Sequence, residues 1–338
     1  MNVYVFYVKV RLYQGKYVTR MLNYFSYFNI SNTVSLEQRN HFMKFGSVDN
    51  PTEIDFSLPE DHDGTKHILS KNTKLDTPNL YVGCAKWNKA DLKGFYPRGT
   101  KDELSYYASQ FNSIELNATF YRIFPVDTFS GWYEKTPPGF RFFPKVFQGV
   151  SHWKRLNDFE AYLNEFILNA SNLKEKLEMP FVQLHGNFSP EKNMDRLDPF
   201  FQAIPKDIKI AMEFRHTDWF NNEGYAKELY ELLEKYQVTN IIVDAAGRRD
   251  LLHMRMTTDT AFIRYNGANH ITDYQRLDDW IDRLEVWFEQ GLQNAYFFVH
   301  QNVEKASPLL SAHFIKKANK RFGTALHIPK MDSIKTKF

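Results

Sequence analysis

Asn112-Ser-Ile-Glu-Leu-Asn-Ala-Thr-Phe-Tyr121 begins as a short apolar strand and continues with side chains that a buried strand does not need. Strand side chains alternate with a period of two, so Glu115, Asn117, Thr119 and Tyr121 are expected on one face. An acid, an amide, a hydroxyl and a phenol on one side ask for something polar in front of them. The strand is also the second of a series.

From residue 79 onward, short apolar runs alternate with amphipathic segments. The runs are 80–84, 113–116, 141–146, 181–184, 208–214, 240–244, 261–265 and 295–300. Helical patterns lie between most of them, at 101–111, 126–135, 158–177, 197–203, 225–236 and 277–290, with a last one at 308–321. Leu229, Leu232 and Leu233 show the apolar spacing of a helix packed on one side. The gap 245–260 is too short for an outer helix and leaves room for a turn of one. Eight strands with intervening helices predict an α/β fold, a single-domain TIM-like (β/α)8 barrel over 79–325. An open doubly wound sheet is the alternative, but no glycine-rich phosphate-binding pattern follows any strand.

The flanks read differently. Residues 1–42 hold Lys9, Arg11, Lys16, Arg20 and Arg39 against the single acid Glu37. With a formal net charge of +3 for the whole chain, the body is therefore close to neutral, which argues against a broad nucleic-acid footprint. The segment 1–42 reads as a basic N-terminal extension or as an overextended start with Met43 as the true beginning. Residues 43–78 are expected to be an irregular lead-in without helical period, and 326–338 a C-terminal tail.

Apolar residues make up 43% of the 338 residues and charged residues 25%, which suits a sizeable core. No apolar run approaches the roughly 20 residues that span a bilayer, and no signal peptide is read, so no membrane contact is expected. The single Cys84 excludes an intramolecular disulfide and fits a cytoplasmic location. It reads as a small buried residue rather than a nucleophile.

The functional face of such a barrel is made by the C-terminal strand ends. These offer Lys86 and Trp87; Glu115, Asn117, Thr119 and Tyr121; Lys145 and His152; His185 and Asn187; Glu213, Arg215 and His216; Asp244; Arg264; and His300. Charges in a barrel mouth are costly unless paired, so they form a binding site or a neutralised network. Glu115 and Glu213 read as an acid–base pair, or as carboxylates that position Lys145 or an arginine. Lys145 reads as an anion anchor, or as a Schiff-base lysine if desolvated. Arg215 and Arg264 suit bidentate anion recognition, or an ion pair inside the barrel. Trp87, Trp219 and Phe220 stack a ligand or wedge loops onto the barrel. The turn with Arg248 and Arg249 reads as an anion cradle. Metal-ligand residue types are present without tight spacing, so neither metal nor cofactor is expected.

Together the motifs resemble the DUF72 (YecE-like) family. The matching stretches are Tyr81-Val-Gly-Cys-Ala-Lys-Trp87, Gly94-Phe-Tyr-Pro97, Phe111–Tyr121, Thr136-Pro-Pro-Gly-Phe-Arg-Phe142, Met212-Glu-Phe-Arg-His-Thr-Asp-Trp-Phe220 and Ile263-Arg-Tyr-Asn-Gly267. Cys84-Ala-Lys86 stands where the family more usually has Thr-Ser-Gly, a version similar to a Bacteroidetes-type branch. The resemblance implies a TIM-barrel-like fold, a polar pocket at the strand ends and a bacterial cytoplasmic setting. It marks Glu115, Asn117, Thr119, Tyr121, Lys145, Glu213, Arg215, Asp244 and Arg264 as pocket residues, and it brings no reaction, metal set or nucleotide motif.

The leading expectation is an enzyme for a small anionic or polyhydroxylated substrate such as a sugar phosphate. Lys145, Arg215 and Arg264 would hold the anion, Glu115 or Glu213 would move a proton, and Trp87, Asn117 and Tyr121 would contact the substrate. A nucleic-acid-binding or repair-like protein and a non-catalytic barrel scaffold are the alternatives; oligomeric state is left open.

Overall fold

Parallel strands buried on both faces read as apolar runs, and those runs become the strands of the computed structural model, which describes residues 47–330. The expected extension at 1–42 lies outside the described residues. In chain order the elements are α1 Asp63–Leu69, β1 Asn79–Cys84, α2 Glu103–Gln110, β2 Ser113–Leu116, α3 Val126–Glu134, β3 Arg141–Pro144, α4 Glu160–Ala170, β4 Phe181–Gln183, α5 Pro190–Asn193 and α6 Leu197–Ala203. They continue with β5 Ala211–Glu213, α7 Asp218–Asn221, α8 Glu223–Lys235, β6 Thr239–Asn240, β7 Ile242–Ala245, β8 Thr260–Asn266, α9 Thr272–Glu289, β9 Asn294–His300 and α10 Ser307–Phe322.

All strand pairs are parallel, in three groups ordered β1-β9-β8-β7, β2-β3 and β4-β5-β6. Side chains and single backbone bonds join the groups. Between β1 and β2, the Asn112 amide donates to the Leu80 carbonyl and accepts from the Val82 N–H, each at 2.9 Å. The strands approach so closely that a Cβ on Gly83 would lie 2.3 Å from the Ser113 carbonyl oxygen. Between β3 and β4, the Val146 N–H donates to the Phe181 carbonyl at 2.8 Å. Ile241, between β6 and β7, donates to the Met212 carbonyl at 2.9 Å, so β6 and β7 share one position. The fold is a TIM-like barrel with eight strand positions.

Alternation along the strands divides two cores. Phe143, Phe181, Ala211, Ile241, Val243, Phe262, Tyr296 and Phe298 form one cluster, the barrel interior. Their neighbours Ile114, Phe142, Val182, Met212, Ile242, Ile263 and Phe297 belong to the other, between strands and helices. Each such side chain buried from water contributes about 1.5–3 kcal/mol. The helices answer with matching faces. In α8 the buried residues Ala226, Leu229, Tyr230 and Leu233 recur every three or four positions, and the Asn222 carboxamide oxygen caps the first turn by accepting from the Gly224 and Tyr225 N–H groups.

Three local expectations are corrected. Strand β2 ends at Leu116, and Asn117–Phe120 is a 3-10 turn, so Glu115, Asn117, Thr119 and Tyr121 do not share a strand face. The expected helix at 158–177 stops at Ala170, and a 3-10 segment with Lys174 at φ 53° follows. Within the lead-in, Asp63–Leu69 is helical, with Thr65, Ile68 and Leu69 buried. The Thr65 hydroxyl donates to the Met254 carbonyl and accepts from the Met256 N–H, both at 2.9 Å. Asp61 receives the Arg283 guanidinium and the Trp287 indole N–H. Seven residues are too few for a helical period to stand out in sequence. The gap at 245–260 holds one 3-10 turn, Arg249–Leu251. Among the described residues, no helix is long and apolar enough to cross a membrane.

Candidate functional site at the barrel mouth

Directly above the apolar barrel interior, the next inward position of several strands is polar. Glu115 (β2), Gln183 (β4), Glu213 (β5), Arg264 (β8) and His300 (β9) all lie there, with Lys145 just past β3; none of the six is more than 9% exposed. Arg264 is the hub. Its Nε and Nη2 form a bidentate pair with the Glu115 carboxylate at 2.8 and 2.7 Å. Its Nη1 donates to Glu213 and, at 3.2 Å, to the Gln183 Oε1. Glu115 also meets the His300 Nε2 at 3.0 Å and the Asn117 amide at 2.7 Å, while Glu213 accepts from the Arg215 Nε.

Burial by itself would raise both carboxyls, but the neighbouring charges outweigh it. Arg264 and His300 hold Glu115 well below the usual carboxylate range, and Arg215, Arg264 and Lys145 hold Glu213 at about 2. Both acids are therefore ionised at neutral pH and neither is a proton donor there. Lys145 behaves otherwise. Burial and then the nearby Arg264 bring its ammonium down to about 7, against the pull of Glu213 and Glu115. Its ionisation thus falls near neutrality. Half-buried His152, its ring centroid 5.2 Å from that of His185, is lowered to about 4 by burial and by the positive charges around it.

A cavity of about 610 Å³ opens over this floor, with Trp87, Glu115, Asn117, Tyr121, Arg264 and His300 in its wall. Tyr121 is 70% exposed there, and Trp87 is half-buried with its ring edge-on to Trp132 at 5.6 Å. Thr119 is buried and holds the turn: its hydroxyl lies 2.8 Å from the Leu116 carbonyl and 2.7 Å from that of Lys145.

Glu115, Asn117, Lys145, Glu213, Arg215 and Arg264 are thus brought together, with Trp87 and Tyr121 in the cavity wall. Asp244 is not. Because Val243 points into the barrel, Asp244 points outward, where it accepts from Arg276 and from the Trp280 indole at 2.7 Å and pairs with Arg249. Removing that carboxylate leaves the buried Arg276 guanidinium with Asp273 as its remaining ion-pair partner and the Trp280 indole without an acceptor, so Asp244→Ala is expected to cost about 3 kcal/mol in urea unfolding; a loss below about 1 kcal/mol would make the pair dispensable. Arg249 also donates to the Phe56 and Ser57 carbonyls, and Arg248 is chelated by Asp250, so the expected anion cradle is already occupied by the protein's own groups. Trp219 is fully buried, its indole donating to the Phe188 carbonyl, and wedges its loop rather than facing a ligand. Cys84 is buried with its thiol pushed up by desolvation. Among the described residues, no group of three His, Cys, Asp or Glu side chains is placed to hold a metal ion.

Gln183 is the member that sequence reasoning left out of the site, and His300 was placed at a strand end without a role. The signal was parity: Gln183 is two residues after inward Phe181, and His300 two after inward Phe298.

Fold and site define a class, a TIM-like barrel with a buried ionic cluster at its mouth. A family model described as "Protein of unknown function DUF72" matches residues 81–333, and the chain belongs to that family. The UPF0759 protein YunF of Bacillus subtilis (strain 168) is 28% identical over 158 residues, 44% of this chain and 55% of YunF, so the chain spans about half the length of that curated relative. Among solved structures, a DUF72 family protein from Thermotoga maritima MSB8 is 27% identical with a TM-score of 0.58, covering 70% of this chain and 98% of that one. Another, from Enterococcus faecalis V583, has a TM-score of 0.60 at 20% identity, covering 72% and 99%. Their likeness concerns the fold.

Proposed function

We propose that the chain is a cytoplasmic enzyme that acts in the barrel mouth on a small anionic or polyhydroxylated molecule such as a sugar phosphate. The supporting observation is the convergence of Glu115, Lys145, Gln183, Glu213, Arg264 and His300 from six strand positions, with Glu115, Arg264 and His300 lining one open cavity. A fold gains nothing by gathering this many desolvated polar groups at one end, since an apolar set of similar volume costs less.

In this reading Lys145 moves the proton, because its ionisation lies near neutrality while both carboxylates stay charged. Glu115, Glu213 and Arg264 form the rigid ionic frame that keeps it in place. Arg215 holds the anionic group, and Asn117, Tyr121 and Trp87 contact the rest of the substrate.

Thermal melting against a sugar-phosphate panel tests this. A ligand at 100 times its dissociation constant adds about 2.7 kcal/mol of stability. The stabilisation is expected in the wild type and is expected to disappear in Arg215→Ala and Glu213→Gln. Equal stabilisation of folded variants and wild type would remove the assigned roles.

A further inference from the structure

We infer that Lys145 forms an imine with its substrate, which makes that substrate a small aldehyde or ketone bearing an anionic group. This rests on the barrel-mouth reading above and deepens it.

Among the described residues two lysines are buried, and their surroundings differ. Lys176 is 4% exposed, and its ammonium meets three oxygens: the Tyr133 and Thr136 carbonyls at 2.6 Å and the Thr136 hydroxyl at 3.2 Å. Three donors meet three acceptors, as a permanently charged ammonium requires. Lys145 is 7% exposed, and among the described residues its Nζ has one hydrogen-bonding partner, the neutral Gln183 Oε1 at 3.0 Å. That oxygen also accepts from Arg264, so two cations lean on one uncharged atom. No carboxylate of the described residues lies within ion-pair distance of the Nζ, although Glu115 and Glu213 are both close enough to bind Arg264.

The Nζ also lies over the Phe120 ring, whose centroid is 4.0 Å away. The Thr119 hydroxyl ties that turn to the Lys145 carbonyl, so ring and amine are held as a unit. A lysine desolvated by burial and placed beside another cation keeps a substantial neutral fraction even against the attraction of an aromatic face for the ammonium, and the neutral amine is the nucleophile toward a carbonyl. Its ionisation near 7 agrees with this placement. With Lys145 neutral, Arg215 and Arg264 balance Glu115 and Glu213, and the Arg215 side chain, 22% exposed above Glu213, is the cation that a carbonyl compound with its own negative charge would meet.

In the step, the Nζ lone pair forms the new C–N bond while the carbonyl π pair moves to oxygen. The oxygen then leaves as water with the two amine protons, and the C=N bond remains. No oxidant or reductant is consumed.

The test uses the full chain at pH 7 with cyanoborohydride, which reduces an imine to a stable amine, in separate samples with pyruvate and dihydroxyacetone phosphate. Peptide mass spectrometry is expected to find the adduct on Lys145 with at least one probe, and on neither buried Lys176 nor exposed Lys86. The preferred probe separates a carboxylate from a phosphate substrate. Lys145→Arg keeps the charge and is expected to give no adduct; the wild-type peptide map stands as the test if that variant does not fold. Adducts only on exposed lysines, or none with either probe, overturn the imine. Lactate and glycerol 3-phosphate, which lack the carbonyl, are melted in parallel. If they stabilise the wild type while no Lys145 adduct forms, the imine fails and the barrel-mouth enzyme stands; if neither they nor the carbonyl probes bind, both fail.

Discussion

Arg264→Met is expected to lower the free energy of unfolding by about 4 kcal/mol, because it leaves two buried carboxylates without their shared partner. Glu115 and Glu213 are both fully buried, and Arg264 supplies a bidentate pair to one and a further bond to the other. Urea unfolding at neutral pH measures the loss. Most of it should return in Arg264→Met/Glu115→Gln/Glu213→Gln, where no buried carboxylate is stranded. The acid limb offers a second reading of the same network. Glu213 has an ordinary value of 4.5 and is held at about 2 in the fold. A depressed carboxyl contributes stability that is complete above the unfolded value and is lost as pH falls through the folded one. Wild-type stability should therefore decline between about pH 4.5 and 2, and the decline should be shallower in Arg264→Met. A loss below about 1 kcal/mol, typical of exposed pairs, would mean the cluster is not the buried frame described above.

Lys145→Met should do the reverse and stabilise the protein at neutral pH, by an amount on the order of 3 kcal/mol. The ordinary lysine value of 10.5 falls to about 7 on folding. Between these values the unfolded chain binds more protons than the native one, so wild-type stability rises with pH across that window. Below the folded value the full cost of burying the charged ammonium applies. The methionine variant has no such slope, and its advantage should shrink as pH is raised from 7 towards 10.5. Urea unfolding of both proteins at the two ends of the window decides it. A pH-independent difference would show that the lysine is not held against its preferred charge. A site residue that costs stability in this way is the usual sign that function, not folding, keeps it.

Much of the barrel was readable from sequence for a physical reason: strands buried on both faces are written as apolar runs, and helices that cover them need one apolar stripe. The limits are equally physical. Whether a residue near a strand end faces inward depends on parity against its neighbours in the ring. Glu213 and Arg264 fell inward, whereas Asp244 is one position out of phase and packs under α9. The polar row after Glu115 looked like a continued strand because alternation in sequence cannot reveal that the backbone turns at Asn117. Gln183 was hidden inside an apolar run, although it turned out to share its amide oxygen between Lys145 and Arg264.

The aromatic interior has a consequence for traffic. Below the polar layer, Phe143, Phe262, Tyr296 and Phe298 stand with ring centroids 4.6–6.1 Å apart, and Phe181 reaches 5.6 Å from Phe262 and lies under the Arg264 guanidinium. Such packing fills the barrel interior with aromatic and aliphatic side chains. Solvent therefore meets the ionic cluster from the mouth side, through the cavity walled by Glu115, Arg264 and His300, and not along the aromatic barrel axis.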